Sequence, residues 1–168
     1  FDNDRDEVVE RASDVTMLNA GVDPSSNRKT LEIAKRYSNV KACLGLHPEF
    51  IAKFDDDTIQ KEIAWIRSQE NRIVAISEIG LDYYWVKDEK QRERQRILFR
   101  KMLNLAEELN LPVIVHSREA VIDTLTILED FPNLTVVLHG FSDMNNKGYP
   151  VSVAPSIYRN KAKQRQVI

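Results

Sequence analysis

The run Ile73-Val74-Ala75-Ile76-Ser77-Glu78, the long stretch Glu89–Leu109 and the run Pro112-Val113-Ile114-Val115-His116 decide the fold between them. Ile73–Ser77 and Pro112–Val115 are short, apolar and rich in β-branched residues, the pattern of strands buried on both faces of a parallel sheet. Between them Ile97, Leu98, Met102, Leu105, Ala106 and Leu109 recur every three or four residues and make one apolar helical face. Parallel neighbours need a crossover, and a helix of this length supplies it. The unit is therefore strand–helix–strand, and the same alternation continues outward. Upstream, Val15–Ala20 and Val40–Leu46 read as strands, with helices over residues 4–13, Pro24–Tyr37 and Asp55–Ser68. Downstream, Ser117–Asp130 reads as a helix with Val121, Ile122, Leu125 and Leu128 inward, followed by strands at Leu134–Leu138 and Pro150–Ala154.

This alternation predicts an α/β fold, a parallel sheet covered by helices. Six strands suit either an open doubly wound sheet or most of an eight-stranded barrel, and periodicity does not choose between them. No Gly-rich phosphate loop follows a strand, which counts against the nucleotide-binding version. Residues 1–168 read as one domain without internal repeats. One connection is short: twelve residues separate Leu138 from Val151, and Asp143–Gly148 has almost no apolar face. A parallel crossover barely fits there, so further residues are expected at this point in the natural protein. The chain lacks an initiator Met, and its natural start is expected upstream of Phe1.

The composition, 42% hydrophobic and 30% charged, is that of an ordinary globular protein and excludes a disordered chain. A net charge of −2 gives no basic field to coat a polyanion, so any grip on phosphate is local. The lone cysteine, Cys43, lies in an apolar run and reads as a small buried hydrophobe. With no internal disulfide possible, a reducing cytoplasm is the expected location. No apolar stretch is long enough to span a bilayer, so no membrane association is expected.

Polar, metal-competent residues stand where the apolar runs stop. Glu78 follows Ile73–Ser77, His116 follows Pro112–Val115, His139 follows Thr135–Leu138, and His47 follows Cys43–Leu46; these are all the histidines of the chain. In α/β barrels the C-terminal strand ends converge on one pocket. Imidazole and carboxylate bind Zn²⁺, Mn²⁺ and related ions, and a carboxylate can bridge two of them. Arg118, two residues past His116, is placed to hold a phosphate oxygen, or else is a surface residue opening the next helix. Asp82 reads as a turn or capping residue. Tyr83-Tyr84-Trp85 reads either as rings that stack on bases or as loop packing.

With these motifs in place, the chain resembles the TatD-type metal-dependent deoxyribonucleases of the amidohydrolase superfamily. The resemblance rests on Gly45-Leu46-His47-Pro48, on Ile76-Ser77-Glu78-Ile79-Gly80-Leu81-Asp82-Tyr83-Tyr84, on Gln95 to Leu109, on Leu111 to Ala120 with its His116-Ser117-Arg118-Glu119-Ala120, and on Leu138-His139-Gly140-Phe141-Ser142. It implies a distorted (β/α)8 TIM-type barrel with one or two divalent ions (Mg²⁺, Mn²⁺ or Zn²⁺) at the C-terminal face. It further implies Glu78 as the bridging, catalytic carboxylate and His116 and His139 as metal ligands. His47 and Arg118 would meet the substrate, and His47 would not bind metal. The implied reaction is metal-assisted hydrolysis of DNA phosphodiester bonds, often from a 3′ end, on single-stranded or damaged DNA. The alternatives are a metallohydrolase of a small phosphoester, lactone or amide, and a catalytically silent binding relative. The family's first-strand His-x-His pair and last-strand aspartate have no counterpart in the chain. The barrel is accordingly expected to be incomplete here, with first and last strands absent and the crossover after its sixth strand shortened. Tyr149–Ile157 resembles the seventh strand.

Overall fold

The computed structural model describes residues 3–139 and the backbone of residues 156–159. Five parallel strands run in sequence order as β1 (Met17–Ala20), β2 (Val40–Leu44), β3 (Ala75–Asp82), β4 (Val113–Arg118) and β5 (Thr135–His139). They form a curled half-barrel with helices as connections, which carries the barrel expectation over the open-sheet one. The helices are α1 (Arg5–Arg11), α2 (Pro24–Arg36), α3 (Asp56–Arg67), α4 (Glu89–Leu109) and α5 (Val121–Glu129).

The helix starts are written in local sequence. Asp23, Asp55 and Asp88 each cap the following helix by accepting from the backbone N–H of Ser26, Thr58 and Gln91 respectively. Such caps satisfy donors the first turn leaves free and contribute about 1 kcal/mol each. At the other end of α4, Asn110 turns the chain through a left-handed conformation (φ 51°) into β4.

Helix α4 has the predicted bounds but a rotated face. Leu98, Phe99, Met102, Leu103, Leu105 and Ala106 are buried against the sheet, whereas Ile97 is 48% exposed. On α5 the inward residues are Thr124, Ile127 and Leu128, and Ile122 is exposed. Apolar spacing alone left the inward angle of each face uncertain by about one residue, and packing on β3 and β4 selects it.

One strand expectation is corrected. Strand β3 runs on through Asp82, so Glu78 lies within it instead of after it. Its pairing with β4 shifts register between Ile76 and Ile79, so the polar pair Ser77-Glu78 interrupts the regular ladder and the strand resumes beyond. The peptide between Ser77 and Glu78 is cis. The sixth strand, β6 (Ser156–Arg159), pairs antiparallel with β5. The expected strand at Pro150–Ala154, and the shortened crossover before it, lie outside the described residues. Among the described residues no helix is long and apolar enough to cross a membrane.

Candidate metal centre

The segment after β2, the interiors of β3 and β4 and the end of β5 bring His47, Glu78, His116 and His139 together. After Leu44 the chain runs through Gly45 and Leu46 to His47, which caps a 3-10 helix, Pro48–Lys53. Gly45 passes close to β3, and a Cβ there would lie 2.2 Å from the Ser77 carbonyl oxygen, so glycine alone fits beside the Ser77–Glu78 peptide. His116 pairs in register with Gly80 on one side and His139 on the other. Gly80 has φ +138° and would meet the His116 carbonyl at 2.0 Å if it carried a Cβ. These two glycines let the strands carrying Glu78 and His116 approach closely.

Glu78 is the centre of the constellation. One carboxylate oxygen stands 3.7 Å from His47 Nε2 and the other 3.6 Å from His139 Nδ1. Potential ligand atoms of His47, Glu78 and His116 all lie within 4.8 Å of one another. Two imidazoles and a carboxylate at that spacing are a donor set that suits a divalent transition ion. His139, more exposed, joins from the rim through Glu78.

Hydrogen bonds distinguish the histidines further. The Glu49 backbone N–H donates to Nδ1 of His47 at 3.2 Å. Burial, with His116 beside it, lowers the His47 pKa to about 4, so the ring is neutral at pH 7. A neutral ring that accepts at Nδ1 carries its proton on Nε2, the nitrogen facing Glu78. His47 is thus a hydrogen-bond donor toward the pocket, despite standing within ligand distance. His116 is arranged differently. Its Nε2 lies 3.0 Å from Asp82 Oδ2. A carboxylate accepts, so this nitrogen donates, and Nδ1 is the ring nitrogen left uncommitted to Asp82.

Asp82 is more than the turn residue its sequence suggested. It is 1% exposed, and while Oδ2 takes the His116 ring, Oδ1 accepts from the Trp85 backbone N–H at 3.0 Å. The capping role is real, and the same carboxylate also orients a pocket histidine. Two further residues escaped the sequence reading. Gln95 of α4, fully buried, accepts from the Asp82 N–H and donates to the carbonyls of Pro48 and Asp82. Asn27 of α2, also buried, donates to the Gly45 carbonyl at 2.9 Å and to Glu62 at 2.8 Å, and accepts from the Gly45 N–H at 3.2 Å. Arg28 completes this group by pairing with Glu62 and stacking on Trp65. His47 is therefore held between two buried amides, one gripping the chain before it and one after. Nothing local in sequence marks these residues, whose partners are 13 to 47 positions away.

Arg118 does not open the next helix. It ends β4 two residues beyond His116, on the same face of the strand, and lies over the Tyr84 ring at 3.9 Å. The site residues selected from sequence thus gather at one end of the sheet.

A family model described as TatD related DNase matches residues 1–168. The chain is 31% identical to the metal-dependent hydrolase YabD of Bacillus subtilis, over 100% of this chain and 69% of that protein. It is 33% identical to the human deoxyribonuclease TATDN3, over 99% of this chain and 68% of that protein. The crystal structure of YJJV, a TatD homologue from Escherichia coli, superposes with a TM-score of 0.72 at 31% identity, covering 84% of this chain. The chain spans 56% of that structure.

Proposed function

The chain belongs to the TatD related DNase family, and from that premise we propose that it is the site-bearing part of a metal-dependent deoxyribonuclease. The observation that carries this reading is Glu78 held between His47 and His139, with His116 within ligand distance of the same carboxylate. In this reading Glu78, His116 through Nδ1, and His139 hold one or two divalent ions. Such an ion supplies Lewis acidity, activating water near neutral pH and neutralising charge on the phosphoryl oxygens. The chain's own groups do the rest. Glu78 fixes the carboxylate charge at the centre. Asp82 keeps the His116 proton on Nε2 and so leaves Nδ1 free. His47 donates from Nε2 to a phosphate oxygen, and Arg118 offers its guanidinium edge to the next one. Residues 1–168 act as one barrel domain, and the protein works in the cytoplasm, where the Cys43 thiol stays reduced.

The test is cleavage of oligonucleotides labelled at either end, with added Mg²⁺, Mn²⁺ or Zn²⁺, beside a panel of small phosphoesters, lactones and amides. Cleavage of DNA that requires the ion and vanishes in Glu78→Gln is the expected result. Persistent cleavage in that variant, or turnover of the small substrates alone, would overturn the assignment.

A further inference from the structure

The turn after β3 carries aromatic rings outward instead of inward. Trp85 is 60% exposed and Tyr84 40%, the two rings meeting edge to face at 4.7 Å. Tyr83, the first ring of the run, is buried, so the aromatic surface left to solvent is that of Tyr84 and Trp85. The turn beneath them is tightly held. The Tyr83 N–H donates to the Arg118 carbonyl, the Tyr83 hydroxyl donates to Asp123, and the Trp85 N–H donates to Asp82. The same Asp82 grips His116, so one buried carboxylate ties the aromatic turn to the pocket.

Cations surround these rings. Arg118 lies over Tyr84 at 3.9 Å and 5.6 Å from the Trp85 ring centroid, and Lys87 stands 5.5 Å from Tyr84. Lys87 pairs with Glu119, but Arg118 has no carboxylate partner among the described residues. The exposed face of Trp85, buttressed edge-on by Tyr84 and with the Arg118 guanidinium beside it, complements a planar base on a charged strand. Arg118 lies about 7 Å along β4 from His116, two residues at the usual strand rise.

We infer that Tyr84, Trp85 and Arg118 form a stacking platform for an unpaired nucleobase of the strand whose phosphate enters the Glu78–His116 pocket. The inference rests on the proposed nuclease function and adds a base-contacting surface to it.

The chain has two tryptophans, Trp65 and Trp85, so Trp65→Phe leaves Trp85 as the sole fluorescent reporter. With ions chelated so that no cleavage occurs, a short thymidine oligonucleotide is titrated into this protein, and an oligonucleotide of equal length with abasic sites is titrated beside it. The expected result is quenching of Trp85 by the first and little by the second. Trp85→Ala should weaken binding of the base-bearing strand about 5- to 150-fold, the range for loss of one stacked base, and leave abasic binding unchanged. Trp85→Phe should restore most of the difference, and far-UV circular dichroism checks that each variant is folded. Equal binding of both strands, or an unchanged preference in a folded Trp85→Ala, overturns the platform. If DNA is cleaved while the preference is absent, the platform alone falls; if quenching is base-dependent but no ion supports cleavage, the nuclease reading falls and the platform stands.

Discussion

Replacing Asn27 by alanine tests whether the pocket is held by its buried amides. Asn27 is 0% exposed, and its side chain takes both the N–H and the carbonyl of Gly45 while also donating to Glu62. Truncation leaves two buried backbone groups unpaired and removes one donor from a buried carboxylate. Each unsatisfied group costs about 1–3 kcal/mol, less where water can enter. The sum expected is roughly 3–5 kcal/mol, a large part of the stability of an ordinary domain. The assay is urea unfolding followed by circular dichroism, with the midpoint compared at constant slope. Glu62→Gln supplies the second arm. If Asn27 and Glu62 act as one unit, the double variant should fall short of additivity by about 0.5–3 kcal/mol. A loss below about 1 kcal/mol for Asn27→Ala, with additive effects, would refute the claim that this amide anchors the Gly45 loop.

Three other expectations follow from the same geometry. Asp82→Asn presents an amide donor to His116 Nε2, shifts the ring proton to Nδ1, and should weaken Mn²⁺ binding about 10- to 100-fold by calorimetry; unchanged affinity would mean that His116 does not use Nδ1. His47→Ala should leave Mn²⁺ affinity nearly intact while raising KM for an oligonucleotide by roughly tenfold or more, the worth of a hydrogen bond to a charged group; if metal binding collapses instead, His47 is a ligand. Burial raises the Cys43 thiol to about 11. The neutral thiol therefore persists through pH 8 in the folded protein, and alkylation at that pH should be slow until urea unfolds the chain; fast reaction in the native state would contradict the burial.

The contrast between what the chain advertises and what it hides has a physical cause. Apolar runs and helical faces are local patterns, so β1 to β5 and α2 to α5 can be read within a few residues of their ends, and α4 at its observed bounds. Histidines that interrupt such runs stand out for the same reason, which is why His47, His116 and His139 could be selected together. Glu78 was selected for a reason that was only half right. Ser77-Glu78 looks like a strand terminus because it breaks the apolar pattern, yet the strand continues and the break is a register shift against β4. The rotated faces of α4 and α5 follow from packing angles, which no one-dimensional pattern contains. Asn27, Gln95 and Glu62 are invisible for a stronger reason. Each is a polar residue on an amphipathic helix, where a solvated position is the natural reading. Asn27 and Gln95 are buried because loops outside their own helices present backbone groups that need a partner, and Glu62 because it pairs with Asn27 and Arg28. The pocket thus has two kinds of determinant: groups able to carry chemistry, which composition and position reveal, and amides that fix them in place, which only the assembled fold explains.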